Sequence, residues 1–245
     1  MNAWFYSIRR LSASLLAFLC LPLMPQSVDR LVAKNVSIAQ ASYKGRSAVQ
    51  VIATPGAANA RSYAVVKDAS FRDGTIEVDL AGKPASNAGE GARGFIGIAF
   101  RLQGDEKYEY IYLRPTNGRA DDQVRRNHST QYSSYPDFDF ARSRQEAPEK
   151  YESYVDLEPG VWTKYKIEVE GRKARLFVNG AEQPCLIVND LKLEPRQGMV
   201  TKHRDEYDPR VMRLAWDGAK VLASPRLKLP TRHFSDPLAR LILGP

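Results

Sequence analysis

Cysteine is almost missing from these 245 residues: Cys20 and Cys185 are the only two. Cys20 falls in a segment expected to be removed. Cys185 then stands alone, no intrachain disulfide can form, a metal–thiolate site is excluded, and the fold must be held by its core. Histidine is scarce too, and His203 and His233 are remote in sequence from His128, which argues against a three-histidine metal centre. There is no nucleophilic serine elbow, no Gly-rich phosphate loop and no His-x-x-x-His pair. No apolar run is long enough to cross a bilayer comfortably. The longest, residues 11–24, is interrupted by Ser12, Ser14 and Pro22 and follows Arg9 and Arg10. A short apolar stretch behind a basic start suits a secretory signal. Residues 1–27 are therefore expected as a signal peptide, with the mature chain secreted or periplasmic and free of a membrane span.

The formal charge of +8 is unevenly placed. Residues 1–30 carry +2 and residues 196–245 carry +5, which leaves only +1 for everything between. A nucleic-acid-binding domain concentrates positive charge on its folded face, so a nucleic-acid partner is not expected. The hydrophobic fraction of 43% is enough for a core.

What is present is a succession of short apolar runs separated by turn signals, with no helical stripe. Strands are expected at 36–39, 48–53, 75–80, 95–101, 108–114, 163–170, 174–178 and 185–188. Between them lie Asp73-Gly74, Asn117-Gly118, Pro159-Gly160, Gly171-Arg172 and Asn179-Gly180. Asn179-Gly180 is the strongest hairpin signal, because both positions tolerate positive φ. Many closely spaced strands with such turns indicate an all-β, antiparallel sandwich or barrel.

Alternation inside three strands assigns faces. Ile76, Val78 and Leu80 oppose Glu77 and Asp79; Ile96, Ile98 and Phe100 oppose Gly97, Ala99 and Arg101; Tyr108, Tyr110, Tyr112 and Arg114 oppose Glu109, Ile111 and Leu113. Successive side chains point to opposite faces of a sheet. The second face then gathers two acids, small residues, Arg101, three tyrosines and Arg114, the makings of an aromatic hydrogen-bonding groove. Tyrosine also has high β propensity, so half-buried packing accounts for the same pattern.

The stretches "SFRDGTIEVDL", "GFIGIAFR", "YEYIYLRP", "YESYVDLEPGVWTKYKIEVEGRKARLFVNG" and "QPCLIVNDLK" resemble the concanavalin A-like lectin/glucanase superfamily. Within it they are nearest to laminin-G-like and 3-keto-disaccharide hydrolase-like secreted domains. The similarity runs over about residues 32–198, with the Pro-Gly-x-Trp turn at Pro159 to Trp162 as its most diagnostic part. It implies an antiparallel two-sheet jelly-roll sandwich over residues 28–198, with carbohydrate or a glycoside met on the concave sheet or its rim. Family 16 glucanases of this superfamily carry Glu-x-Asp-x-x-Glu; here Glu77 and Asp79 are present, but Gly82 replaces the last acid. Glu77 and Asp79 share a face about 6.6–6.8 Å apart at strand rise and remain the carboxylate pair to consider as catalytic. Glycoside hydrolysis normally needs one carboxyl group as acid and a second as base or nucleophile.

A second constellation follows the tyrosine strand. His128 can act as a general base near neutral pH, with Asp121 or Asp122 to orient it. Arg125, Asn127, Gln131 and Tyr132 are suited to sugar hydroxyls or a carboxylate. The charges of such a loop can equally pair among themselves. The resemblance allows a calcium ion held by Asp121, Asp122 or Asp137 and Asp139, but their spacing is not specific, and no metal or cofactor is assigned. Residues 199–245 read as a basic, proline-punctuated tail without the closing strands of the superfamily, a diverged or frame-shifted end. The sequence therefore points to a secreted carbohydrate-binding jelly roll. Its platform would be Arg101, Tyr108, Tyr110, Tyr112 and Arg114, with a rim of Arg125, Asn127, His128, Gln131 and Tyr132. A hydrolase of glycosides or 3-keto-disaccharides, using Glu77, Asp79 or His128, and a laminin-G-type protein-interaction module are the alternatives.

Overall fold

The computed structural model describes residues 28–54, 62–66, 71–86, 88–103 and 107–194, together with the backbone of 210–215 and 220–223. The expected signal segment lies outside these residues. The strands are β1 (Leu31–Lys34), β2 (Val36–Tyr43), β3 (Arg46–Ala53), β4 (Tyr63–Val66), β5 (Gly74–Lys83), β6 (Ile96–Leu102) and β7 (Tyr108–Leu113). They continue with β8 (Thr130–Tyr135), β9 (Glu152–Ser153), β10 (Thr163–Glu170), β11 (Lys173–Val178), β12 (Leu186–Val188), β13 (Arg210–Ala215) and β14 (Lys220–Ala223). Two short helices, α1 (Gln123–Asn127) and α2 (Phe140–Glu146), flank β8.

The strands form two antiparallel seven-stranded sheets. The first runs β1-β4-β13-β6-β7-β8-β9 and the second β12-β11-β10-β5-β14-β3-β2. This is the expected two-sheet jelly-roll sandwich. Every expected strand is present, and the Asn179-Gly180 turn has the positive φ values its residues permit, 55° and 77°. Between the sheets lie Val49, Val51, Ile76, Val78, Leu80, Ile96, Ile98, Phe100, Ile111, Leu113, Tyr165, Ile167, Leu176 and Val178, all in one buried cluster. The alternation read from β5, β6 and β7 thus places their apolar faces correctly.

One expectation needs correction. The segment after Gly198 does supply closing strands: β13 pairs with both β4 and β6, and β14 with both β3 and β5. Each lies in the middle of a sheet rather than trailing from it. Neither RVMRLA nor KVLA alternates apolar and polar residues, and a central strand is held by backbone bonds on both edges. The rest of 199–245 lies outside the described residues.

Candidate functional site

The outer face of the first sheet carries the tyrosines. Across it, Gly97 pairs with Tyr112 and Tyr112 with Gln131, which in turn pairs with Glu152; one step along, Ala99 pairs with Tyr110 and Tyr110 with Ser133. The glycine and alanine next to the tyrosines were expected to leave room for a ligand. Instead the backbone of β7 closes it at Gly97. A Cβ on Gly97 would stand 2.6 Å from the Tyr112 Cα and closer still to the Ile111 carbonyl oxygen. Tyr108 stacks on Tyr135 with centroids 5.1 Å apart, and Tyr110 on Tyr112 at 5.6 Å. Tyr108, Tyr110 and Tyr112 are consequently only 1%, 4% and 5% exposed. They form a second, aromatic core on the sheet rather than an open platform. Burial raises the Tyr110 and Tyr112 hydroxyls well above or above their ordinary value, so both remain phenols.

Arg101 does not share this face. Opposite β13 the register of β6 shifts between Arg210 and Met212, and Arg101 takes a φ of +56°. The extra residue of such a bulge re-aims its side chain. Arg101 Nε donates to the Arg72 carbonyl at 2.9 Å, and Nη2 to Asp73 Oδ1 at 3.0 Å and the Gly171 carbonyl at 2.6 Å. It is a clamp between turns. Tyr132 also leaves the expected rim: it points into the main core, donates to Glu109 Oε2 at 2.5 Å and accepts from the Lys192 N–H at 2.9 Å.

Glu77 and Asp79 are further away still. Ile76, Val78 and Leu80 turn into the core, so the two acids stand on the outer face of the second sheet, opposite Lys166 and Lys164 on β10. Asp79 pairs with Arg46 at 3.3 Å. The sandwich therefore separates this pair from His128 and from the tyrosines. A depression of about 230 Å³, lined by Thr75, Glu168, Lys173 and Arg175 among others, also belongs to the second sheet.

The residues that do converge are Arg114, His128 and Gln131, joined by four that the sequence did not single out: Phe140, Ser143, Arg144 and Glu152. α1 begins where Asp122 Oδ1 accepts from the Arg125 N–H at 2.6 Å and ends at His128. Asp122 is thus an N-cap, not the partner of the histidine. Arg125 bonds Asn117 Oδ1 and the Thr116 carbonyl, and Asn127 accepts from Gln123, so both are turned to local tasks. α2 begins likewise at Asp139, whose Oδ1 accepts from the Arg142 N–H at 2.9 Å. That cap sets α2 beside β8, where Gln131 Nε2 donates to Ser143 Oγ at 3.3 Å.

Glu152, on the edge strand β9, is the hub. Its Oε1 accepts from Arg114 Nη1 at 2.9 Å and Arg144 Nη2 at 2.7 Å, and its Oε2 from Arg144 Nε at 2.8 Å. His128 Nε2 lies 3.6 Å from Oε2. Arg114 also donates to the His128 carbonyl at 3.0 Å, to the Tyr112 hydroxyl at 2.9 Å and to Gln131. The Tyr112 hydroxyl donates in turn to Gln131 Oε1 at 2.7 Å. Burial alone would raise the Glu152 carboxyl, but the bonds from Arg144 and Arg114 outweigh it and hold it below the usual carboxylate value. Burial lowers the His128 imidazole, and Arg144 and Arg114 lower it further against the pull of Glu152.

The chemical capacities follow. Glu152 stays ionised with both oxygens engaged, so it is no proton donor. His128 is neutral at neutral pH and can accept a proton or a hydrogen bond. The Arg144 side chain is 39% exposed and that of His128 17%. Arg144 uses its Nε and Nη2 toward Glu152, which leaves Nη1 facing outward. Its guanidinium lies 5.6 Å from the centroid of Phe140, a ring that is 49% exposed. Tyr154, two residues beyond Glu152, is another exposed aromatic. Among the described residues no group of three or more His, Cys, Asp or Glu side chains could hold a metal ion.

No family model matches the chain, and no curated protein does. Solved structures are similar over most of the chain. The carbohydrate binding module CBM66 from Bacillus subtilis is similar at a TM-score of 0.49 and 14% identity, over 80% of this chain and 95% of that one. The cellulose induced protein Cip1 is similar at 0.48 and 10%, over 80% and 89%. A beta-1,3-glucanase from Mycobacterium marinum gives 0.40 and 11%, over the same shares.

Proposed function

We propose that this protein binds carbohydrate at the corner of the first sheet formed by Phe140, Arg144 and His128. One observation carries the reading: an exposed aromatic ring lies beside a half-exposed guanidinium whose outer edge has no bond, next to a neutral imidazole. A sugar offers an apolar ring face to an aromatic side chain and hydroxyl groups to donors and acceptors around it. The buried Arg114–Glu152–Gln131–Tyr112 network fixes the base on which these groups stand, as a rigid site requires. The basic-then-apolar start of the chain supports a place of action outside the cytoplasm.

Cleavage of a glycoside is the second reading, favoured by the neutral His128 held 3.6 Å from Glu152. Hydrolysis by paired carboxylates has no such support, since Glu77 and Asp79 lie on the other sheet and Glu152 is held ionised. A glycan array and a reducing-sugar assay on the full chain separate the readings. Binding that is lost in Phe140→Ala without any turnover supports the binding protein. Turnover that disappears in His128→Ala supports the enzyme. A chain that binds no glycan directs attention to a protein partner instead.

A further inference from the structure

Granted that this corner takes a sugar, its charges narrow which kind. Glu152 is a single carboxylate bonded to two guanidiniums, Arg114 and Arg144, which leaves the group with one net positive charge beside a neutral histidine. Two more arginines, Arg93 and Arg125, stand near Arg114. Burial lowers the Arg93 guanidinium, and Arg125 and Arg114, both cations, lower it further. Arg126 Nε is buried without any acceptor.

The acids of the neighbourhood are mostly committed elsewhere. Asp156 and Glu158 are held by Arg119 at 2.8 Å each, and Asp122 and Asp139 cap helices. Besides Glu152, the exposed Glu149 also faces His128. An anion arriving at Arg144 meets a guanidinium whose outer edge makes no bond among the described residues.

Arg144 indicates the shape of that anion. Its inner edge already grips a carboxylate through two bonds of 2.8 and 2.7 Å to the two oxygens of Glu152. Its outer edge, Nη1 with the second N–H of Nη2, repeats the same planar spacing and makes no bond among the described residues. A guanidinium fork matches a carboxylate bidentately. We infer that the ligand is an acidic glycan whose uronate carboxylate lies on the outer edge of Arg144, with His128 beside it and the sugar ring against Phe140.

The test compares polymers that differ in the carboxylate alone. Isothermal titration of the full chain with polygalacturonate and with its fully methyl-esterified form should show at least about tenfold tighter binding of the free acid. Raising the salt concentration should weaken that preference. Arg144→Ala should abolish it, while Arg142→Ala, on the same helix but paired with Glu146, should keep it. Should Arg144→Ala fail to fold by thermal melting, Arg144→Lys keeps the charge without the fork and should still reduce the preference. Alginate and a sulfated galactan complete the series. Equal binding of acid and ester, a preference that survives in both Arg144 variants, or tighter binding of the sulfated polymer overturns the inference. Binding of neutral glycans alone overturns it while leaving the glycan reading intact; binding of no glycan at all overturns both.

Discussion

Arg114 Nη1 lies 2.9 Å from Glu152 Oε1, with the two side chains only 7% and 3% exposed. The pair joins the end of β7 to the edge strand β9 across β8. Taking one member away leaves the other as an uncompensated buried charge, which costs about 3–5 kcal/mol. Glu152→Ala, which strips Arg114 of its only carboxylate partner, should therefore lower stability by about that amount in urea denaturation. Arg144→Ala should cost less, because Glu152 keeps Arg114 and Arg144 is partly solvated. A Glu152→Ala loss no larger than that of Arg144→Ala would contradict the hub role assigned to Glu152.

Acid should act on this corner in a defined order. His128 is faced by Glu152 from β9, Arg144 from α2, Arg114 from the end of β7 and Glu149 from the loop before β9. Burial and the two arginines win, so the native ring takes its proton only below the ordinary value of about 6.5. Between these two values the unfolded chain binds more protons than the native one, so stability falls as the pH drops. Glu152 continues the trend. Its contribution is present above about 4.5 and is lost as the pH falls through its lower native value. Glu109 works the other way: burial raises its carboxyl despite the bonds from Tyr132 and Leu193. Its contribution is present at low pH and fades as the pH rises through its native value. The histidine part can be isolated by comparing the native chain with His128→Gln between pH 7 and pH 5. The variant should lose stability less steeply over that interval; parallel curves would remove His128 from the account.

The architecture was legible wherever a strand is long enough to show its period. β5, β6, β7 and β10 declare their inner faces through Ile, Val, Leu and Phe at every second place. β8 was hidden because "TQYSSY" has no apolar face to display: Tyr132 turns into the core while Gln131 and Ser133 are buried against α2 and the tyrosines. β13 and β14 were hidden because neither alternates apolar and polar residues, with Asp217-Gly218 between them as the one turn signal in the sequence. The site was legible only in part. Arg114, His128 and Gln131 stand near one another in sequence, but Glu152 joins them through the pairing of β8 with β9. Arg101 was misplaced because a bulge, invisible in the residue types, breaks the alternation at that one position.

The acids of β5 provide a control. Glu77 and Asp79 lie on the outer face of the second sheet, and the partly exposed Asp79–Arg46 pair is of a kind that contributes about 0–1 kcal/mol. Glu77→Gln and Asp79→Asn should each change stability by less than about 1 kcal/mol and leave glycan binding, and any turnover, unaltered. A large loss of either function in these variants would return the search to the second sheet.

Two aromatic residues on the first sheet should behave oppositely. Tyr110 is 4% exposed and stacked on Tyr112, so Tyr110→Ala removes a ring from a packed cluster and should cost about 3–5 kcal/mol. Phe140 is half out of water at the start of α2, and surface substitutions usually stay within about 0.5 kcal/mol. Phe140→Ala should leave the melting curve nearly unchanged while glycan affinity falls, whereas Tyr110→Ala should unfold more readily and, where it is folded, still bind. Melting and titration of the same two proteins decide the matter. If Tyr110→Ala loses affinity at temperatures where it is fully folded and Phe140→Ala does not, the ligand lies over the tyrosines and the corner at Arg144 is only their support.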